Sequence, residues 1–317
     1  MKHVVGISLG SSSRNHSVNV TLLGQECRVE RIGTDGDMAK MIRMIKELDG
    51  QVDAFGLGGI SLNLYTIDRC YQLRDARRIM QAAQKTPIVD GAGIKKTLER
   101  RVIRYLAAHT DLLGESKKVL LLCVLDRLGM AQALQEAGCQ MFYGDFPFVL
   151  GVPILLTSLK TVSFFARMLL PLISRLPFSV IYPAGEKQEI NKPRFQRYFD
   201  AADIIAGDFP LIYKFMPLDL SGKTIITNTI TPENIALLKE RNLETLVTTT
   251  PDMNGRSFGT NVIEALLVCL SGKNRELTEE EYNQLLDKLN FPVRIVHPRD
   301  WPGQGKVAAG DEPVING

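Results

Sequence analysis

Two hydrophobic periods alternate along this chain. Val4 to Leu9, Val18 to Leu23 and Cys27 to Ile32 are short β-type runs separated by Gly, Ser and Asn, which predicts three strands in a small meander. Thr34-Asp35-Gly36-Asp37 then offers capping side chains to a helix whose apolar positions Met38, Met41, Ile42 and Ile45 recur at helical spacing. Val52 to Ile60 reads as a buried strand ending in glycines, where Gly58 and Gly59 either make a tight turn or let a backbone approach a substrate. Leu98, Val102, Tyr105 and Leu106 form a helical stripe, and the polar break Gly114 to Lys118 follows it.

Beyond that break the pattern changes. A buried strand Val119 to Leu125, a turn Asp126 to Gly129, a helix Met130 to Ala137 and a strand Gln140 to Tyr143 form a strand–helix–strand unit of the parallel-sheet kind. The unit recurs at Ile204 to Gly207, Thr224 to Thr229, the helix opened by Thr231-Pro232-Glu233, and Thr245 to Thr250. The fold class predicted is therefore α/β: a small N-terminal α/β domain (1–108), then a Rossmann-like doubly wound parallel sheet (109–275), then a C-terminal helix and surface tail (276–317). Ser158 to Tyr182 interrupts the second domain as an apolar helical insertion. Its Lys160, Arg167, Arg175, Pro171 and Pro177 argue against a membrane span, so it is expected to cover the sheet or to pack between subunits of a homodimer. A lid or a membrane-surface role is the competing reading.

Composition narrows the function classes. At 317 residues, 45% hydrophobic and 23% charged, the chain is globular in character. A net charge of +3 with no basic aromatic stripe disfavours nucleic acid and leaves small anionic ligands open. The five cysteines are odd in number and set among apolar residues, as reduced core thiols would be. The N-terminus lacks the apolar run of a signal peptide, so a cytoplasmic location is expected. No HxH, HxxxH or CxxC pair occurs, and no metal site is expected.

Laid on a dinucleotide-binding fingerprint, the turn after Val119 to Leu125 puts Val124 and Asp126 at the first two glycine positions and keeps only Gly129 at the third. Arg127 would offset the Asp126 charge near a pyrophosphate, and Asp145 lies about 20 residues on, where an acidic residue holds an NAD ribose. Asn254-Gly255-Arg256-Ser257 forms a turn in which the Arg256 fork could hold a carboxylate or phosphate. Tyr182 to Lys187 gathers polar and turn residues at the end of the insertion.

The stretch Pro87-Ile88-Val89-Asp90-Gly91-Ala92-Gly93-Ile94-Lys95-Lys96-Thr97-Leu98 resembles the Asn-Thr-Asp-Gly-x-Gly segment of the shikimate and quinate dehydrogenases. Thr231-Pro232 with Leu237-Leu238, and Gly259 to Leu267 running to Ser271-Gly272, resemble that family's later helices. The whole chain is similar to bacterial proteins labelled quinate 5-dehydrogenases. The resemblance implies an NAD(P)-dependent oxidoreductase acting on a small hydroxylated carboxylic acid. Asp90 and Lys85 or Lys95 would be its proton-transfer pair, and Asn261 would reach the substrate. The family's Asn-Val-Thr-x-Pro-x-Lys motif and Gly-Ala-Gly-Gly turn are missing, and Ser11-Ser12-Ser13 and Ser17 are only loose counterparts of its carboxylate-binding serines. Asp90 has a competing role as a helix cap. The alternative reading is a non-catalytic ligand-binding or regulatory protein that retains the Rossmann-like fold without cofactor.

Overall fold

The computed structural model describes residues 1–181, 190–253 and 256–302. The Tyr182 to Lys187 loop, Asn254-Gly255 and the tail beyond Pro302 lie outside the described residues. The first sheet contains β1 (Lys2–Ser8), β2 (His16–Leu22), β3 (Gln25–Gly33) and β4 (Ala54–Gly58), with helix α1 (Met38–Leu48) between β3 and β4. A hairpin, β5 (Asn63–Tyr65) and β6 (Cys70–Gln72), and a short helix α2 (Ala76–Met80) precede its last strand, β7 (Ile88–Val89). The order is β2-β3-β1-β4-β7.

The first three strands are not a simple meander. β2 and β3 are antiparallel, but β1 lies parallel to β3, with Val4 opposite Val29. The reason is burial: Val4, Val5 and Ile7 are all in the core, so β1 needs cover on both faces and neighbours on both edges. Three of the cysteines, Cys27, Cys139 and Cys269, are buried, whereas Cys70 is exposed on the hairpin.

The chain then enters helices α3 (Ala92–Lys96) and α4 (Leu98–His109) and builds the second sheet. Its strands are β8 (Lys118–Leu121), β9 (Gln140–Tyr143), β10 (Ile204–Ala206), β11 (Thr224–Thr227) and β12 (Thr245–Thr248). All of these are parallel. β9 flanks β8 on one side and β10, β11 and β12 follow on the other, so the direction of winding reverses at β8, as a doubly wound sheet requires. Helices α5 (Leu128–Glu136), α6 (Leu159–Ile173), α7 (Phe178–Ile181), α8 (Gln196–Asp200), α9 (Phe209–Phe215) and α10 (Pro232–Glu240) connect these strands. The two-residue strands β13 (Asp252–Met253) and β14 (Arg256–Ser257) pair antiparallel, and after α11 (Thr260–Ser271) and α12 (Glu279–Leu289) the edge strand β15 (Arg294–Val296) closes antiparallel on β12.

Helix α11 leaves the second sheet and packs on the first. This contact explains why β1 and β4 carry glycine. A Cβ on Gly56 would stand 2.4 Å from the carbonyl oxygen of Asn261, and one on Gly6 would stand 2.5 Å from Val262 Cγ2. One continuous core therefore runs between the sheets, joining Val4, Val29 and Ala54 to Val262, Ile263 and Leu266 of α11 and on to Val119, Leu121 and Val247. The outer faces of the two sheets have cores of their own.

The apolar segment runs as α6 and α7 and reaches back to the first sheet. Val162, Ser163, Ala166 and Leu170 are buried, while Phe164, Met168 and Leu172, one helical turn apart, are 59%, 59% and 65% exposed. At its far end the Phe178 amide donates to Asp75 at 2.9 Å, the Arg74 amide donates to the Ser174 carbonyl at 2.8 Å, and Arg167 pairs with Asp68 at 2.8 Å. The Phe178 ring is 1% exposed, in the same core as Met41, Phe55 and Leu73. Among the described residues no helix is long and apolar enough to cross a membrane. Because Phe178 plugs the core of the first sheet from the second half of the chain, Phe178→Ala is expected to cost about 3–5 kcal/mol of stability in urea unfolding. A loss under about 1 kcal/mol would mean that the segment merely rests on the surface.

Candidate functional site

The C-terminal end of β8 is where a doubly wound sheet receives a ligand. Here that turn is occupied by the chain itself. At the end of β9 the Asp145 carboxylate accepts from the Val124 amide at 3.0 Å and from the Leu125 amide at 3.2 Å. Burial pushes Asp145 up to about 6, and the two amides oppose that shift. Two of the N–H groups that a pyrophosphate would use are thus already bonded to a carboxylate. The residues of this turn do not suit a dinucleotide.

Next to it lies a network of buried charge. Arg127 is bonded to Glu99, to Asp126 at 3.1 Å and to Asp208 at 3.1 Å. Lys95, reaching across from α3, donates to Asp126 at 2.6 Å. Burial works to raise Asp126, but Lys95 and Arg127 outweigh it and hold the carboxyl well below the usual carboxylate range. Burial pushes Glu99 up to about 7 against the pull of Arg127. Such a network holds its members in place, because removing one partner leaves a buried charge uncompensated.

The turn Asp90-Gly91-Ala92-Gly93, which joins β7 to α3, has a different occupant from the one its glycines suggest. Glu264 of α11 accepts from the Gly91 amide at 2.5 Å and the Gly93 amide at 3.0 Å, and the Tyr282 hydroxyl donates to it at 2.6 Å. Gly91 has φ +93°, and a Cβ on Gly93 would stand 2.2 Å from the Tyr282 ring. Gly91 is therefore required by its positive φ and by Thr260 at the start of α11, and Gly93 by Tyr282 and Glu264, rather than by ligand clearance. Burial, with Asp90 close by, pushes Glu264 up to about 8.

Between the halves opens a cleft of about 390 Å³. Ser61, Asn63, Tyr65 and Asp90 line it from the first half, and Lys95, Lys96, Asp126, Gly129 and Gln132 from the second. The Lys96 ammonium lies 3.8 Å from the centre of the Tyr65 ring. Asp90 faces this cleft, but its two oxygens accept from the amides of Leu62 at 2.6 Å and Ala92 at 3.1 Å. Lys95 turns to Asp126, and Lys85 lies before the start of β7, its amide donating to Asp49 and its side chain against Gly50. The structure thus brings Asp90, Lys95, Asp126 and Gly129 to one cleft, with Val124, Arg127 and Asp145 just behind it. Gly58, Gly59 and Asn261 gather elsewhere, at the ends of β1 and β4, where a Cβ on Gly58 would stand 3.3 Å from Asn261 Nδ2. Arg256 donates to the Arg14 carbonyl at 2.9 Å. Sequence reasoning missed Asn63, Tyr65 and Lys96, since a short hairpin carries no motif, and it missed Glu99, Asp208 and Glu264, because each partner is distant in the chain.

A family model described as a domain of unknown function (DUF8754) matches residues 93–298, and one described as a domain of unknown function (DUF8753) matches residues 3–90. None of the curated proteins matches. Among solved structures, a periplasmic ribose ABC transporter from Conexibacter woesei aligns at 9% identity over 94% of this chain and 92% of its own, with a TM-score of 0.39. An ABC transporter solute-binding protein from Burkholderia multivorans aligns at 11% over 93% and 99%, with a TM-score of 0.37. The arabinose ABC transporter binding protein from Shewanella sp. ANA-3 aligns at 10% over 90% and 96%, with a TM-score of 0.33. At such scores these likenesses carry no argument about the ligand of this chain.

The resemblance to shikimate and quinate dehydrogenases, and with it the NAD-linked oxidoreductase reading, is corrected. The family model that matches most of the chain is a different one. The physical reason is local. The segment that looked like the family's catalytic Asp-Gly-x-Gly is a socket for Glu264, and its aspartate is bonded to backbone amides instead of a lysine.

A titration consequence follows from Glu264. Its folded-state value lies above the unfolded value of 4.5, so the folded chain holds an extra proton between about 4.5 and 8 and loses stability as pH rises through that window. Asp145 and Glu99 act in the same direction but only up to about 6 and 7, which leaves pH 7–8 to Glu264. Urea unfolding across pH 5–9 is expected to show a fall of at most about 1.4 kcal/mol per pH unit between 7 and 8 that Glu264→Gln flattens. An unchanged slope in the variant would contradict the assignment.

Proposed function

The chain belongs to the family described as a domain of unknown function (DUF8754), and we propose that it is a binding protein, holding a small polar molecule in the cleft between its sheets without transforming it. The observation that carries this reading is the commitment of both candidate proton-transfer groups. The Asp90 carboxylate is bonded to two backbone amides, and Lys95 is paired with Asp126. The two are held by other partners and are not hydrogen-bonded to each other as a proton-transfer couple. What they can do as they stand is present fixed charge and fixed lone pairs to a ligand.

The cleft suits a molecule of modest size. Its volume of about 390 Å³ falls at the lower end of small-ligand sites, which run from about 300 to 1,000 Å³. Its walls mix donors and acceptors, with Ser61, Asn63, Lys96 and Gln132 beside Asp90 and Asp126, and Tyr65 supplies a flat apolar surface. That combination favours a ligand with several hydroxyl groups, a polyol, sugar or hydroxy acid. Such a ligand can satisfy both kinds of group at once, since a polar group buried unpaired costs about 1–3 kcal/mol.

Thermal melting of the full chain against a panel of sugars, polyols and hydroxy acids tests the reading. At least one compound is expected to raise the melting temperature saturably, with Asn63→Ala and Lys96→Ala each weakening that compound roughly tenfold. A compound whose effect survives both substitutions, or one that the protein chemically converts, would overturn it.

A further inference from the structure

Away from the cleft, three arginines converge where the two halves meet. Arg14 closes a 3-10 turn, Ser12–Arg14, after β1; Arg31 stands on β3; and Arg256 stands on β14. None of the three lines the cleft described above. The glycine at position 10 measures how closely they gather: a Cβ there would be 2.8 Å from Arg14 Nη2 and 3.0 Å from Arg31 Nη2. Arg256 joins from the other half, its Nη2 donating to the Arg14 carbonyl at 2.9 Å. Arg31 Nη1 donates to the neighbouring Ser11 carbonyl at 3.0 Å.

Arg14 and Arg256 have no carboxylate within ion-pair distance among the described residues. Arg256 is 7% exposed. The Nε atoms of both are buried with no hydrogen-bond partner, and so is Nε2 of His16, whose ring packs on Phe258 at 5.6 Å. Asp208 and Glu233 influence Arg14 and Arg256 only at longer range, and Asp208 is already bonded to Arg127. Burial and the proximity of Arg14 both push Arg256 down from its ordinary value. Like charges buried together with unused donors are costly, and an arrangement of this kind persists where an anion completes it.

We propose that Arg14 and Arg256, with Arg31 beside them at Gly10, form an oxyanion site that takes a phosphate group across the junction of the two halves. The choice of phosphate rests on charge and donor number. A phosphate carries about −1.5 to −2 at neutral pH and offers three acceptor oxygens, enough for two guanidinium forks, whereas a carboxylate brings a single charge. Gly10 keeps the approach free of side-chain bulk. Because Arg14 belongs to the first half and Arg256 to the second, a bound phosphate ties one to the other. The site stands independently of the ligand proposed for the cleft.

Calorimetric titration of the full chain with inorganic phosphate, at constant ionic strength and with acetate as the comparison anion, is the test. One saturable phosphate per chain is expected, with acetate at least roughly tenfold weaker. Arg14→Gln is expected to weaken phosphate at least roughly tenfold while leaving the melting temperature in phosphate-free buffer unchanged or higher, since it relieves like-charge crowding. Arg256→Gln is expected to do the same to binding; should it fail to fold, Arg14→Gln, whose side chain is only half-buried, decides alone. No saturable phosphate binding, equal binding by Arg14→Gln, or acetate binding as tight as phosphate would each overturn the proposal.

Discussion

The hydrogen-bonded socket around Glu264 is the contact on which the rest of the molecule depends. Its carboxyl group, carried on a helix that sets out from the second sheet, takes the amides of Gly91 and Gly93 in the turn where the chain leaves the first sheet. The Tyr282 hydroxyl closes it from a third side. One group thereby fixes the turn between the halves, the direction of α11 across the first sheet and the seat of α12. The glycines of β1 and β4 follow from it, because a helix held so close leaves no room for Cβ atoms at Gly6 and Gly56. A buried, fully bonded group of this sort sets a unique arrangement more than it adds stability.

The same economy of buried charge governs the cleft. Arg127 holds Glu99, Asp126 and Asp208 together, and Asp126 in turn holds Lys95, so four elements meet in one ionic network beneath the opening. Asp145 finishes the turn above it by bonding to the amides of Val124 and Leu125. The charged groups of this region are bonded to one another or to backbone amides. What remains facing the cleft is a set of polar side chains, Ser61, Asn63, Lys96 and Gln132 among them.

The α/β class and the parallel second sheet were legible in the sequence because they rest on local pattern: apolar runs such as Val119 to Leu125 and the Thr231-Pro232 helix start each declare themselves within ten residues. The pairing of β1 with β3 was not, since both strands read alike and only the burial of Val4 and Ile7 on two faces decides it. Motif alone singled out Asp90, Lys95, Asp126, Arg127 and Asp145, residues that the fold brings to the cleft or just behind it. It did not single out their partners, because Glu264, Asp208 and Glu99 meet them only through the fold. A carboxylate about 20 residues after a strand–turn–helix start reads as a ribose ligand; folded back on its own turn, it is a plug. The Asp-Gly-x-Gly segment misled for the same reason. Glycine announces that something comes close, and only the structure says whether that is a ligand or Tyr282.

Asp145, seated on the amides of the turn after β8, decides whether that turn can take a dinucleotide. Calorimetric titration of the purified full chain with NADH and with NADPH, each carried to millimolar concentration, addresses this directly. Asp145 seated on the Val124 and Leu125 amides predicts no saturable binding of either nucleotide. Saturable binding of either at micromolar concentration would contradict it and return the chain to the dinucleotide-binding proteins.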